Sequence, residues 1–313
     1  MPAELALYSD RLFIGAVAVY VLAMVLHGVE YARRRDTAAE PAMVAAGGGD
    51  AAPGATGGPA PAPVRRDRAD RFGRMAVALT VLGAGLHAAS IVTRGLAAER
   101  WPLGNMYEFT SAICVAAVVA WLVVLRRAPV TRPMGLFVLL PVVVLMFLAG
   151  TVLYAEAAPL VPALRSYWII IHVSTIGISS GLLLVPGVAS VLYLLRRAGW
   201  PAGLTDRLPS AEVLDRLAYR TTILAFPLYT FAIITGAIWA EAAWGRFWGW
   251  DPKETVAFVA WVVYAAYLHA RATAGWRTGR AAWINITGFA VIVFNLFFIN
   301  MVVAGLHSYA GLG

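Results

Sequence analysis

Residues 13–29 read FIGAVAVYVLAMVLHGV. The run contains no acid, lysine or arginine, and as a helix it is about long enough to cross the ~30 Å hydrocarbon core of a bilayer. No basic n-region precedes it and no Ala-x-Ala cleavage site follows, so it reads as a retained helix, not a signal peptide. Further apolar runs recur to the C-terminus and give eight spans near residues 12–32, 74–97, 106–125, 134–154, 167–195, 221–243, 254–271 and 283–305. The fifth is long enough to tilt or to extend beyond the membrane. Hydrophobic residues make up 60% of the chain and charged residues 13%, against about 25% charged in a water-soluble domain. The expected fold is therefore an all-α polytopic membrane protein of about eight transmembrane helices.

The formal charge of +8 does not indicate nucleic acid, because the arginines follow the gaps between apolar runs. Alternate gaps hold 19 of the 25 basic residues, among them Arg33, Arg34, Arg35, Arg65, Arg66, Arg126, Arg127, Arg196, Arg197 and Arg271. The positive-inside rule puts those gaps in the cytoplasm and both termini on the outer face. The first cytoplasmic gap contains TAAEPAMVAAGGGDAAPGATGGPAPAPV at 37–64. So much Ala, Gly and Pro buries no core, which predicts a disordered linker over 33–73. The organisation read here is a first helix over 1–32, that linker, and a seven-helix membrane domain over 74–313. A short amphipathic helix is expected after Ser210, with Glu212 in its first turn. No repeat of solenoid period is evident. The lone cysteine, Cys114, excludes an internal disulfide and a CxxC motif, so this chain is not itself a thiol–disulfide enzyme.

The densest chemistry lies at 244–255, WGRFWGWDPKET, in a loop on the outer side. Asp251 can cap the seventh helix, Pro252 fits its first position, and Glu254 completes a D-x-x-E capping box. NMYE at 105–108 repeats that pattern at the third helix. Capping and a role in a site are both open for Asp251 and Glu254. Interfacial belts explain one or two of Trp239, Trp244, Trp248 and Trp250. Four tryptophans within twelve residues, with glycines between, instead suit a flat macrocycle lying against aromatic faces and bare backbone.

The five histidines, His27, His87, His172, His269 and His307, all lie in or at the end of a span, where burying an ionisable group is costly. A structural hydrogen bond is the plain alternative for any one of them. His172 and His307 fall at the level of the Trp-rich loop, and two neutral imidazoles flanking an aromatic platform make a bis-histidine haem site. Arg246 and Lys253 are cations within reach of propionates. His269 falls toward the cytoplasmic end of the seventh helix, His27 near the inner end of the first, and His87 near mid-membrane. Imidazoles at two depths suggest a path across the membrane.

Taken together, WGRFWGWDPKET, LRSYWIIIHV before it, YLHAR and GLHSY after it, and RWPLGNMYE upstream resemble the CcsA/ResC haem-handling family of cytochrome c biogenesis, labelled CcsB in some bacteria. The motifs run in the expected order from 101 to 309. Phe247 and Gly249 stand where that family's WWD signature often has tryptophan, and the first 73 residues match no named pattern. The resemblance implies a multi-pass protein of the bacterial cytoplasmic membrane that exports haem b and takes part in its attachment to apocytochrome c. It implies haem iron on His172 and His307 at the outer face and on His269 within the membrane, with Trp244, Trp248, Trp250, Asp251, Arg246 and Lys253 around the outer haem. It implies as partners a ResB-like membrane subunit, which supplies a second transmembrane histidine, the CxxCH segment of the apocytochrome, and a thioredoxin-like thiol reductase. The loop offers no nucleophile or general base that must act covalently, so synthase-like catalysis and templating stay open. The competing readings are a secondary transporter of another substrate and a b-type electron-transfer subunit.

Overall fold

The computed structural model describes residues 2–33, 66–160, 165–273, 276 and 279–307. Eight helices are long and apolar enough to span a bilayer, and no strand occurs among the described residues. They are α1 (Pro2–Arg33), α2 (Arg66–Ala98), α3 (Met106–Arg127), α4 (Gly135–Thr151), α5 (Tyr167–Ala198), α6 (Ala211–Trp244), α7 (Pro252–Thr273) and α8 (Gly279–Phe294). α8 passes into a π-helical turn, Asn295–Ile299, and ends at Asn300–Val302. Apolar side chains point outward as well as inward: Ile14, Leu224 and Val302 are two-thirds exposed or more. A helix hydrophobic all round needs lipid or protein on every side.

Three boundaries differ from those expected. The linker expected over 33–73 lies outside the described residues for 34–65, but its last part is helical, because α2 begins at Arg66. Contacts with other elements hold that extension: Gly73 packs directly against the Glu30 carboxylate, Arg33 lies 4.7 Å over the Phe72 ring, and Asp70 bonds Arg132. The amphipathic helix expected after Ser210 and the sixth span are one continuous helix, α6, whose start Ser210 caps by accepting from Val213 N–H. The first helix begins about three turns earlier than 12, and Asp10 on its added part faces Arg94 and Tyr154.

α1 packs along α2, and both join α3 and α4 around a core that includes Tyr20, Cys114, Trp121 and Met146. α5 runs along α6 and touches α3 and α8. Of all spans α7 is the least covered by the rest of the bundle, with 17% of its most apolar window buried. Ionic knots close both ends of the N-terminal half. At one end Arg132 holds Glu30 at 2.6 Å and Asp70 at 2.5 Å. At the other, the buried Glu108 accepts from Arg94 at 3.1 Å, from both terminal nitrogens of Arg100 at 2.8 and 3.0 Å, and from Gly104 N–H at 2.7 Å. Multiple charge-assisted bonds offset the desolvation of a carboxylate.

Candidate functional site

α6 ends at Trp244 because Gly245 takes a left-handed φ of 71° and its N–H turns back to the Glu241 carbonyl. The chain then crosses residues 245–251 and re-enters the bundle as α7. Asp251 and Glu254 do form the reciprocal cap: Asp251 Oδ1 accepts from Lys253 N–H at 3.1 Å, and Glu254 Oε2 accepts from Asp251 N–H at 3.2 Å and Gly249 N–H at 3.0 Å. The two N–H groups held by Glu254 flank Trp250, which sits at a φ of 57°, a conformation that disfavours a bulky residue.

The Asp251 carboxylate has a second task. Oδ1 also accepts from His307 Nδ1 at 2.8 Å, and Oδ2 accepts from Leu306 N–H at 2.7 Å. The helix cap and the anchor of His307 are thus one carboxylate. Gly305 admits it, because a Cβ there would lie 2.6 Å from Oδ2. Burial pushes the Asp251 carboxyl up, but the bonds from His307, Leu306 and Lys253 outweigh it and hold the group below the usual carboxylate range. For His307, burial is the largest effect and lowers its affinity for a proton; the Asp251 bond acts the other way and leaves a net lowering. That direction favours the neutral imidazole, the form that binds metal.

His172 is fixed independently. On α5, its Nδ1 donates to the Ala232 carbonyl of α6 at 2.8 Å, and its ring stacks on Trp239 at 6.0 Å with 7° between planes. Gly236 makes room, since a Cβ there would lie 2.6 Å from the imidazole. His307 meets the same Trp239 ring at 5.8 Å and Trp244 at 5.1 Å. Two imidazoles 135 residues apart in the sequence thus share one indole as their floor. With each Nδ1 donating to an oxygen, iron would be met through Nε2, the arrangement in which a hydrogen bond fixes tautomer and ring direction for a metal ligand.

His172, His307, Trp244, Trp248 and Lys253 line one cleft of about 830 Å³ counted to its open mouth, with Phe109, Tyr229, Phe247 and Leu296 among its walls. A mostly apolar, aromatic-walled hollow with two tethered imidazoles suits haem. Lys253 reaches Asn300 Oδ1, and Asn295 donates to the Lys253 carbonyl at 3.2 Å.

The other expected site residues are placed differently. Trp250 is two-thirds exposed and meets Trp248 edge-on at 5.8 Å and Phe258 at 6.5 Å, outside the cleft. Arg246 folds its guanidinium over Gly249 and does not line the cleft. His269 is exposed near the far end of α7. Sixteen residues separate it from Lys253, about 24 Å at 1.5 Å per residue. His87 is buried and bonded through Nε2 to Ser111 Oγ at 2.8 Å. His27 is buried against Trp121 and 3.6 Å from Glu30.

Sequence reasoning named Trp239 only as part of the cluster, and missed Tyr229, Asn295 and Asn300. The asparagines carried a signal: polar side chains in an apolar span are functional by default.

Residues 103–307 match the family described as Cytochrome C assembly protein. The Cytochrome c biogenesis protein CcsA of Parasynechococcus marenigrum (strain WH8102) is 35% identical over 271 residues, covering 74% of this chain and 85% of that one. The protein of the same name from Synechococcus sp. (strain RCC307) is 37% identical over 265 residues, covering 74% and 84%. Among solved structures, Cytochrome c Heme Lyase CcmF shares the fold with a TM-score of 0.64 at 15% identity. That likeness covers 95% of this chain and 47% of the other, so this chain spans about half its length. The motifs, the family match and the CcsA relatives agree: the chain belongs to the cytochrome c assembly protein family, alongside the CcsA proteins.

Proposed function

We propose that the chain carries haem b across the bacterial cytoplasmic membrane and presents it at the outer face for attachment to apocytochrome c. The observation that carries this reading is the pairing of His172 and His307 in one aromatic cleft, each with Nδ1 anchored to an oxygen. Trp244 and Trp248 would face the haem, and the Nε2 atoms of His172 and His307 would hold its iron. Lys253, which lines the cleft, meets a propionate; Arg246 and Trp250 act at its rim. Asp251 keeps His307 aimed. The chain supplies position and ligation, and the client's CxxCH histidine displaces one of the two ligands.

His269 takes haem on its way across. Its exposure on the least covered span supports a partner chain meeting it there, since an imidazole facing lipid alone is unfavourable. A ResB-like subunit is that partner, and a thioredoxin-like thiol reductase keeps the client thiols reduced.

The test is His172→Gly and His307→Gly, each purified with its partner and scanned in the visible range. Each substitution should abolish cytochrome c maturation at unchanged protein level, and added imidazole should restore part of it by filling the vacated position. Full haem and full maturation in both variants would overturn the site.

A further inference from the structure

Lys253 is the chain's only lysine, and it is a cation met by a neutral group. Half-buried, it lines the cleft, and its ammonium reaches Asn300 Oδ1. The acids that flank it in sequence are engaged elsewhere. Asp251 holds His307 and Leu306, and Glu254 Oε2 holds the N–H groups of Gly249 and Asp251. A charge taken out of water is normally paired with an opposite one.

The neutral partner is aimed by an irregularity of the backbone. At Asn295–Ile299 α8 passes into a π-turn. An α-helix would give the Leu296 carbonyl the N–H of Asn300, four residues on. Here that N–H goes to the Phe297 carbonyl, and the Asn300 side chain takes its place. Its Nδ2 donates to the Leu296 carbonyl at 2.7 Å and to the Asn295 carbonyl at 3.3 Å. With Nδ2 turned to two acceptors, the amide presents Oδ1 to Lys253. Residues five apart stand about 140° apart around an α-helix, and the wider π-turn brings them nearer one side. Asn295 therefore faces α7 as well, and its Nδ2 donates to the Lys253 carbonyl at 3.2 Å. Main chain and ammonium of Lys253 are thus both held from α8. Asn295 Oδ1 is buried without a hydrogen-bond partner among the described residues, on a side chain that lines the cleft.

We propose that Asn300 is the positioning residue of Lys253, and that the two select a macrocycle with a free carboxylate edge over one whose carboxyl groups are esterified. The inference deepens the haem reading above and rests on it. An amide oxygen fixes the ammonium without cancelling its charge, and it leaves two of the three N–H donors for a ligand. An acid at position 300 would fix the ammonium and neutralise it. The uncancelled charge favours an anion, and a mostly apolar cleft screens that attraction little. Asn295 Oδ1 supplies an acceptor for a water that bridges to the same carboxylate.

The test compares haem with its dimethyl ester, which has the same ring, iron and vinyl groups but no carboxylate. Both are titrated into the full chain, purified with its partner from haem-depleted cells, and binding is read from visible absorbance. The wild-type chain should bind haem at least tenfold more tightly than the ester. Asn300→Asp and Lys253→Met should each bring that ratio below twofold, chiefly by weakening the free acid. Damage to the fold would weaken both ligands alike and leave the ratio unchanged. A wild-type ratio near one, or a tenfold ratio kept in Asn300→Asp, would overturn the inference and leave the haem site standing. If Asn300→Asp does not accumulate, Asn300→Leu decides: it removes the contact without adding charge, the ratio should fall at least threefold, and an unchanged ratio overturns the inference. A wild-type chain that binds neither ligand would instead overturn the haem reading beneath it.

Discussion

Gly236 contributes to the site by lacking a side chain. A Cβ there would come within 2.6 Å of the His172 ring, and that ring cannot easily retreat, because Trp239 stacks on it and Ala232 holds Nδ1. Alanine is the better helix former by about 1 kcal/mol, so Gly236→Ala should not lower the protein level through helix propensity. It should still reduce bound haem at least tenfold, read as absorbance per mole of protein. Gly249→Ala is the control. Its Cβ would meet the guanidinium of Arg246, the free end of a long flexible chain, so haem content should change less than twofold. At Asp251 the two roles separate by substitution. Asn caps about as well as Asp, but it offers one acceptor oxygen where the structure uses two for Lys253, Leu306 and His307. Asp251→Asn should therefore keep the protein level and lose maturation. Normal maturation would reduce Asp251 to a helix cap.

Among the elements, α3 and the segment before it depend on one buried carboxylate. Glu108 takes four donors from Arg94, Arg100 and Gly104, and Arg94 is itself 2% exposed. Removing one partner of a buried pair strands the other charge, at about 3–5 kcal/mol. Glu108→Ala should lower the amount of folded protein in the membrane and the temperature at which the detergent-solubilised chain aggregates. Leu103→Ala, beside the same knot, should leave both unchanged. At its C-terminal end α8 opens into the π-turn Asn295–Ile299, a feature frequent at functional sites. There Asn295 meets the Lys253 carbonyl and Asn300 meets its side chain, so the start of α7 and the end of α8 are fixed to each other beneath the cleft.

At the scale of the whole molecule, we propose an orientation from the distribution of arginine. With 19 of 25 basic residues in one set of gaps, the positive-inside rule favours both termini outside. A reporter active only in the cytoplasm, fused after Gly313, should give no signal; a strong one would reverse the orientation and move the cleft to the inner face. His269 lies about 24 Å along α7 from Lys253, and in the proposed function the two depths act in series. His269→Gly should lower haem at the outer site without changing the visible spectrum of the haem that remains there.

The sequence alone determined that the chain crosses a membrane about eight times, because run length and charge content are local and additive properties. It also marked 244–255 as special and named His172 and His307, because tryptophan and intramembrane histidine are rare enough to stand out without knowledge of their neighbours. It did not determine the extension of α2 back to Arg66 or the merging of residues 211–220 into α6, since both depend on contacts with other helices. Nor did it determine which of the aromatic and cationic residues face one another. Trp239 is the shared floor while Trp250 and Arg246 point elsewhere, although all three fall in one short stretch. Asp251, legible as a cap, proved also to hold a histidine 56 residues away. Only the tertiary structure decides such things, because a hydrogen bond or a stacked ring is set by distance in space, and eight packed helices bring together residues that the sequence keeps far apart.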